Sequence, residues 1–152
     1  MKPPPRSQTA RRRDTEQRLT HDVDVWVASA SSNGTPYLIP LSFDWDGETL
    51  LLATPANSIT GKNLAATRVA RLGLGDTRDV SMIEGDAETL EIDELPQQRA
   101  DRFASRTGFD PRALTTRYRW FRISPQRIQA WREDNELAER ELMHEGRWLV
   151  DG

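Results

Sequence analysis

The chain of 152 residues has no cysteine, which excludes disulfides, thiolate nucleophiles, iron–sulfur clusters and thiolate zinc sites. Histidine is almost as scarce. His21 precedes the first expected strand and His144 falls in the final turn, so both read as surface or helix-end residues and nothing supplies a catalytic triad. No apolar run approaches the roughly 20 residues of a membrane-spanning helix, and the N-terminal Met1-Lys2-Pro3-Pro4-Pro5-Arg6 lacks the apolar stretch of a secretion signal. The expectation is a cytoplasmic protein with no membrane partner. A net charge of -3 argues against a nucleic-acid partner despite the run Arg11, Arg12, Arg13, which reads as part of a solvated tail among prolines and polar residues. The acidic residues Glu133, Asp134, Glu136, Glu139 and Glu141 have no histidine nearby, so no metal site is expected.

Lysine is the last scarcity, and it is informative. The basic residues are nearly all arginine, with lysine only at positions 2 and 62. A compact ammonium on a flexible stem suits a phosphate that a planar guanidinium does not fit, and this singles out Lys62.

What is present reads as a chain of short strands. Residues 1–13 are expected to be a disordered arm, with a short helix over 14–20. Alternation of apolar and small or polar residues predicts a strand over 23–30, and Asn33-Gly34 supplies a hairpin turn into a second strand over 37–45. Asp46-Gly47 turns the chain into a third strand over 49–54. A short helix over 58–67 follows, with Ser58 as its N-cap, then strands over 69–74 and 80–90. Residues 95–107 read as a helix with Leu95, Ala100 and Phe103 facing inward and Gly108 ending it. A long strand over 118–131 and a terminal hairpin at Glu145-Gly146 complete the pattern. About six strands in sequence with short turns and few helices predict a mainly β, small antiparallel barrel. Trp26, Trp45, Trp120 and Trp148 are expected in the core or at a subunit interface.

The stretch 54–63, Thr-Pro-Ala-Asn-Ser-Ile-Thr-Gly-Lys-Asn, joins a strand end to a helix start and concentrates hydroxyls, a glycine and Lys62. In outline it is an anion site, because amides at a helix N-terminus carry partial positive charge and Lys62 adds a full one. It is not a nucleotide P-loop: Asn63 follows Gly61-Lys62, and the upstream glycine is missing.

With its flanking strand, this stretch resembles the strand–loop–helix of the pyridoxamine 5'-phosphate oxidase family, in which the segment holds the phosphate of FMN. Thr54, Ser58, Gly61, Lys62 and Leu64 match the family pattern; Ile59 and Thr60 stand where those oxidases carry an arginine and a lysine. Ile83-Glu84-Gly85 and the pair of Trp131 with the run 135–140 (Asn-Glu-Leu-Ala-Glu-Arg) are similar to further family motifs in the right order, over roughly 22–148.

The resemblance implies a six-stranded antiparallel split β-barrel with a few short helices, forming one flavin-binding domain over 14–152. It implies an FMN-dependent oxidoreductase, with the deazaflavin coenzyme F-420 as the variant cofactor and a non-catalytic flavin carrier as the rival. Thr54, Ser58, Thr60, Gly61, Lys62 and Asn63 would take the phosphate, while Pro40, Leu41 and Ser42 would lie along the flavin ring. Trp131 and Arg140 would reach the ring from the second subunit of a homodimer. Glu136 and Ala138 replace the arginine and histidine that grip the substrate phosphate in the family, so the small-molecule substrate is expected to be something other than pyridoxamine phosphate. The loss of two cations at 59 and 60 tilts the expectation toward FMN over F-420. No catalytic side chain is nominated.

Overall fold

The structure is a computed structural model and describes residues 2–152. Six antiparallel strands, β1 (Asp24–Ala30), β2 (Pro36–Trp45), β3 (Leu50–Pro55), β4 (Val69–Asp76), β5 (Asp79–Glu91) and β6 (Tyr118–Arg132), run in the order β3-β2-β1-β4-β5-β6. Pairing of β3 with β6 closes them into a barrel, and β7 (Glu141–His144) and β8 (Arg147–Trp148) extend the sheet beyond β6. Three helices decorate it: α1 (Gln8–His21), α2 (Ile59–Thr67) and α3 (Gln97–Thr107). The expected fold class, a mainly β six-stranded antiparallel split barrel, is the one observed.

Closure explains the unbroken apolar run in β3. Leu50 and Leu52 point into the barrel with Val27, Phe43, Leu72, Phe121 and Ile123, while Leu51 and Ala53 point outward into a second cluster under α3 with Phe103 and Trp120. A strand buried on both faces loses the usual alternation. In that second cluster the Phe103 and Trp120 rings meet edge to face at 5.1 Å, and the Trp120 indole N–H donates to the Ile92 carbonyl at 3.2 Å. The tryptophans divide: Trp120 is buried, Trp45 and Trp148 are partly buried against the barrel core, and Trp26 is 53% exposed on the outer face of β1.

The N-terminal region differs from the expected arm over 1–13. Helix α1 starts at Gln8, capped by Ser7, and buries Arg11, Thr15 and Leu19 on one face. Only Leu19 of these is apolar, so no apolar stripe announces the helix. Polar bonds seat it instead: Thr15 and Ser81 share a hydroxyl–hydroxyl bond of 2.7 Å, and Arg18 pairs with Asp79 at 2.7 Å. The arginine run splits by helical periodicity. Arg11 turns inward, Arg12 lies 4.2 Å over the Trp148 ring and pairs with Glu16, and Arg13 faces outward.

Candidate functional site

The turn between β3 and α2 is held rigidly. The register puts Pro55 opposite Tyr118, and the Ala56 amide donates to the Arg117 carbonyl at 2.9 Å. Ser58 has extended backbone and caps α2, its hydroxyl oxygen accepting from the Gly61 amide at 3.0 Å while donating to the Pro55 carbonyl at 2.7 Å. Glycine is required at 61 because a Cβ there would collide with the Pro55 carbonyl oxygen. The helix can thus start only where the turn brings these backbones together.

Within this turn the nominated residues separate into two kinds. Thr54, Thr60, Gly61 and Asn63 are buried: the Thr54 hydroxyl lies 3.3 Å from that of Ser58, and the Asn63 amide donates to the Ser29 hydroxyl at 3.1 Å, pinning α2 to β1. Ser58 is half-buried and Lys62 is exposed, with no carboxylate in ion-pair range among the described residues. Among the described residues the Ile59 and Thr60 amides have no acceptor, and the Thr60 Oγ1 is buried without a partner. An unmet buried hydroxyl costs about 1–3 kcal/mol, and it lies in the first turn of the helix, where donors converge. Two unspent amides and an exposed ammonium are a donor set that fits a phosphate, while the Thr60 hydroxyl is wholly buried.

Pro40, Leu41 and Ser42 share one open cleft of about 390 Å³ with Thr54 and Pro55. The cleft is walled by Phe109 and Tyr118, whose ring centroids stand 5.5 Å apart. Asp24 also lines it and accepts a hydrogen bond of 2.9 Å from the Ser42 hydroxyl. Sequence reasoning missed Asp24, Phe109 and Tyr118. For Asp24 a signal existed: counting back along the β1–β2 hairpin from Ala30 opposite Pro36 puts Asp24 opposite Ser42.

Trp131 and Arg140 are brought to each other but not to this cleft. The Arg140 guanidinium lies 5.9 Å from the Trp131 ring centroid, and Arg140 also donates to the Leu137 carbonyl at 2.9 Å. Trp131 pairs with Val80 at the far end of β6 from Tyr118, about 40 Å along the strand at the usual rise per residue.

Glu136 turns inward, 1% exposed, and its carboxylate binds Arg6 at 2.8 Å and the Arg132 amide at 2.8 Å. Burial would raise its carboxyl. Hydrogen bonds from the Arg6 side chain and from the Arg6 and Arg132 amides, with the Arg6 charge, overcome that and lower it from 4.5 to about 2. Of the neighbouring acids, Asp134, Glu133 and Glu141 pair with Lys2, Arg78 and Arg127, and no group of three or more metal-ligating side chains occurs among the described residues.

A family model described as pyridoxamine 5'-phosphate oxidase matches residues 15–132, more than half of the chain. The chain belongs to the pyridoxamine 5'-phosphate oxidase family. Solved structures with the same fold include an F-420 reductase (TM-score 0.62, 18% identity, 74% of this chain and 94% of that one). HupZ of Group A Streptococcus superposes with a TM-score of 0.61 at 18% identity, over 78% of this chain and 94% of that one. A Clostridium acetobutylicum protein related to general stress protein 26, of the pyridoxinephosphate oxidase family, gives 0.57 at 16% identity over 79% and 87%. No curated protein sequence matches. At these identities the superpositions establish the fold alone, and function rests on the side chains the site carries.

Proposed function

We propose that this member of the pyridoxamine 5'-phosphate oxidase family is a flavin-dependent oxidoreductase that binds FMN at a homodimer interface and acts on a small organic substrate other than pyridoxamine phosphate. One observation carries the reading: the first turn of α2 keeps the Ile59 and Thr60 amides unspent and Lys62 without an ion-pair partner among the described residues, beside a cleft walled by Pro40, Leu41, Ser42 and two aromatic rings. The phosphate would be met by Lys62 and the unspent Ile59 and Thr60 amides, with Thr54, Ser58, Gly61 and Asn63 setting the turn's shape; the Ser58 proton is committed to the Pro55 carbonyl and the Thr60 hydroxyl is wholly buried. The flavin supplies two-electron or hydride transfer; the protein supplies position and field. Pro40, Leu41 and Ser42 would border the ring, and Asp24 holds the Ser42 hydroxyl in one orientation.

The distance along β6 supports a dimer. If Trp131 and Arg140 close over a ring, that ring sits in the cleft of a second subunit, because within one chain they lie at the far end of the strand from Thr54. Trp26, Leu38 and Met82, all exposed, lie on the outer barrel face, where the register aligns Trp26 with Gly73 and Gly73 with Met82. Such a patch suits a subunit contact. Glu136 supports the substrate reading, since a carboxylate locked to Arg6 grips no phosphate.

Titration of the purified chain with FMN and with F-420, followed by absorbance and sedimentation, tests the reading. FMN binding by a dimer is expected. F-420 binding without FMN binding reverses the cofactor, a flavin-loaded monomer removes the interface, and binding of neither removes the function. Reoxidation of the reduced cofactor by quinones, enones or nitroaromatics then separates an enzyme from a carrier, for which the response across the panel is flat.

A further inference from the structure

Residues ahead of β1 and the loop after β6 meet in a polar cluster that the barrel does not require. The Arg11 side chain is 3% exposed, and its Nη1 donates to the carbonyl oxygens of Glu136 at 3.0 Å, Glu139 at 3.2 Å, and Ala130 and Ala138 at 3.3 Å each. A guanidinium is the side chain able to collect acceptors spread along a loop, because its donors diverge in one rigid plane. Beside it, the Glu136 carboxylate accepts from the Arg6 amide at 2.8 Å, from the Arg6 guanidinium at 2.8–3.3 Å and from the Arg132 amide at 2.8 Å. Further bonds cross the same gap: the Asn135 amide donates to the Pro3 carbonyl at 2.8 Å, and the Gln8 amide donates to the Glu139 and Glu141 carbonyls at 3.0 and 3.1 Å.

The loop needs this support. Glu133 at φ 44° and Glu139 at φ 57° are left-handed without being glycine, a conformation that persists only where the surroundings impose it. Between these two residues the chain is shaped by Arg11 and Arg6, which come from a segment more than a hundred positions earlier. The residue immediately after Glu139 is Arg140, whose guanidinium is thereby set against Trp131.

We propose that Arg6, Arg11 and Glu136 form a clamp through which the N-terminal segment positions Trp131 and Arg140 for the cofactor; this rests on the reading of those two residues given above. The N-terminal segment then belongs to the site without touching the ligand. Arg6 and Arg11 are positioning residues, acting through the loop.

The test uses the full chain and FMN, or F-420 where that is the flavin the protein binds. Dissociation constants are measured for Arg11→Ala, Arg140→Ala and the double variant, with circular dichroism confirming the fold and tryptic cleavage after Arg140 reporting loop release. Arg11→Ala is expected to weaken binding about tenfold, the size of a coupling between residues acting as one unit, and to speed cleavage at Arg140. The double variant should lose less affinity than the two single losses combined. Fully additive losses, or a folded Arg11→Ala that binds like the parent while Arg140→Ala does not, overturn the clamp. Failure of the underlying reading looks different: Arg140→Ala and Trp131→Ala then leave flavin affinity unchanged, and the proposal falls with it. Should Arg11→Ala not fold, Arg11→Lys and Arg6→Lys carry the same cycle, because each keeps the charge and loses the fork; unchanged cleavage and affinity in both overturn the clamp.

Discussion

The first turn of α2 and the loop between β6 and β7 handle charge in opposite ways. In the turn, Lys62 stands free, the Ile59 and Thr60 amides have no acceptor and the Thr60 hydroxyl is orphaned. In the loop, most polar groups are spent: Glu136 binds Arg6 and two amides, Arg11 gathers carbonyls, and Asp134 and Glu133 pair with Lys2 and Arg78. The first arrangement stores unmet binding capacity; the second converts charge into shape. Glu136, which the sequence resemblance sets at a substrate-gripping position of the family, is here an internal fastening to Arg6.

The contrast breaks most severely at Glu136. Glu136→Ala strands the buried Arg11 and the mostly buried Arg6, and losing one partner of a buried pair costs about 3–5 kcal/mol, readable by urea unfolding. Acid tests the same group without mutation. Its folded value of about 2 lies below the unfolded 4.5, so its contribution is complete above that value and is lost as pH falls toward 2. Stability measured between these limits should decline with falling pH, and the Glu136→Ala chain should show a shallower decline; identical slopes would take Glu136 out of the account. Lys62→Ala should show the reverse profile: FMN affinity falls by about 1–3 kcal/mol through a lost charge-assisted contact, while unfolding shifts by no more than about 0.5 kcal/mol. Unchanged affinity removes Lys62 from the site. The smallest effect belongs to Ser58→Ala, which loses the α2 cap at about 1 kcal/mol of stability. Because its proton is committed to the Pro55 carbonyl, its affinity loss should be smaller than that of Lys62→Ala.

Much of the architecture was written in local signals. Asn33-Gly34 and Asp46-Gly47 mark turns between strands; Ser58 and Gly108 mark a helix start and a helix end, and the structure uses Ser58 as N-cap of α2 and Gly108 as C-cap of α3. These signals act over a few residues, so a linear reading captures them. The first turns of α1, residues 8–13, escaped because their inward face is built from Arg11, a residue that registers as solvated until its acceptors are known. Asp24 escaped for a milder reason, since only the hairpin register brings it to Ser42.

By itself, the amino-acid order determined the strand succession, the barrel class, the strand–turn–helix at 54–63 and the absence of thiol chemistry, because periodicity, turn residues and composition are properties of neighbours along the chain. Tertiary structure alone decided that Glu136 faces Arg6 rather than solvent, that Arg11 organises the loop over 133–140, and that the nominated turn residues divide into those that seat α2 and those that stay open. Those outcomes depend on contacts across as many as 132 positions of sequence. A buried charge declares its role only when the group that compensates it is in place.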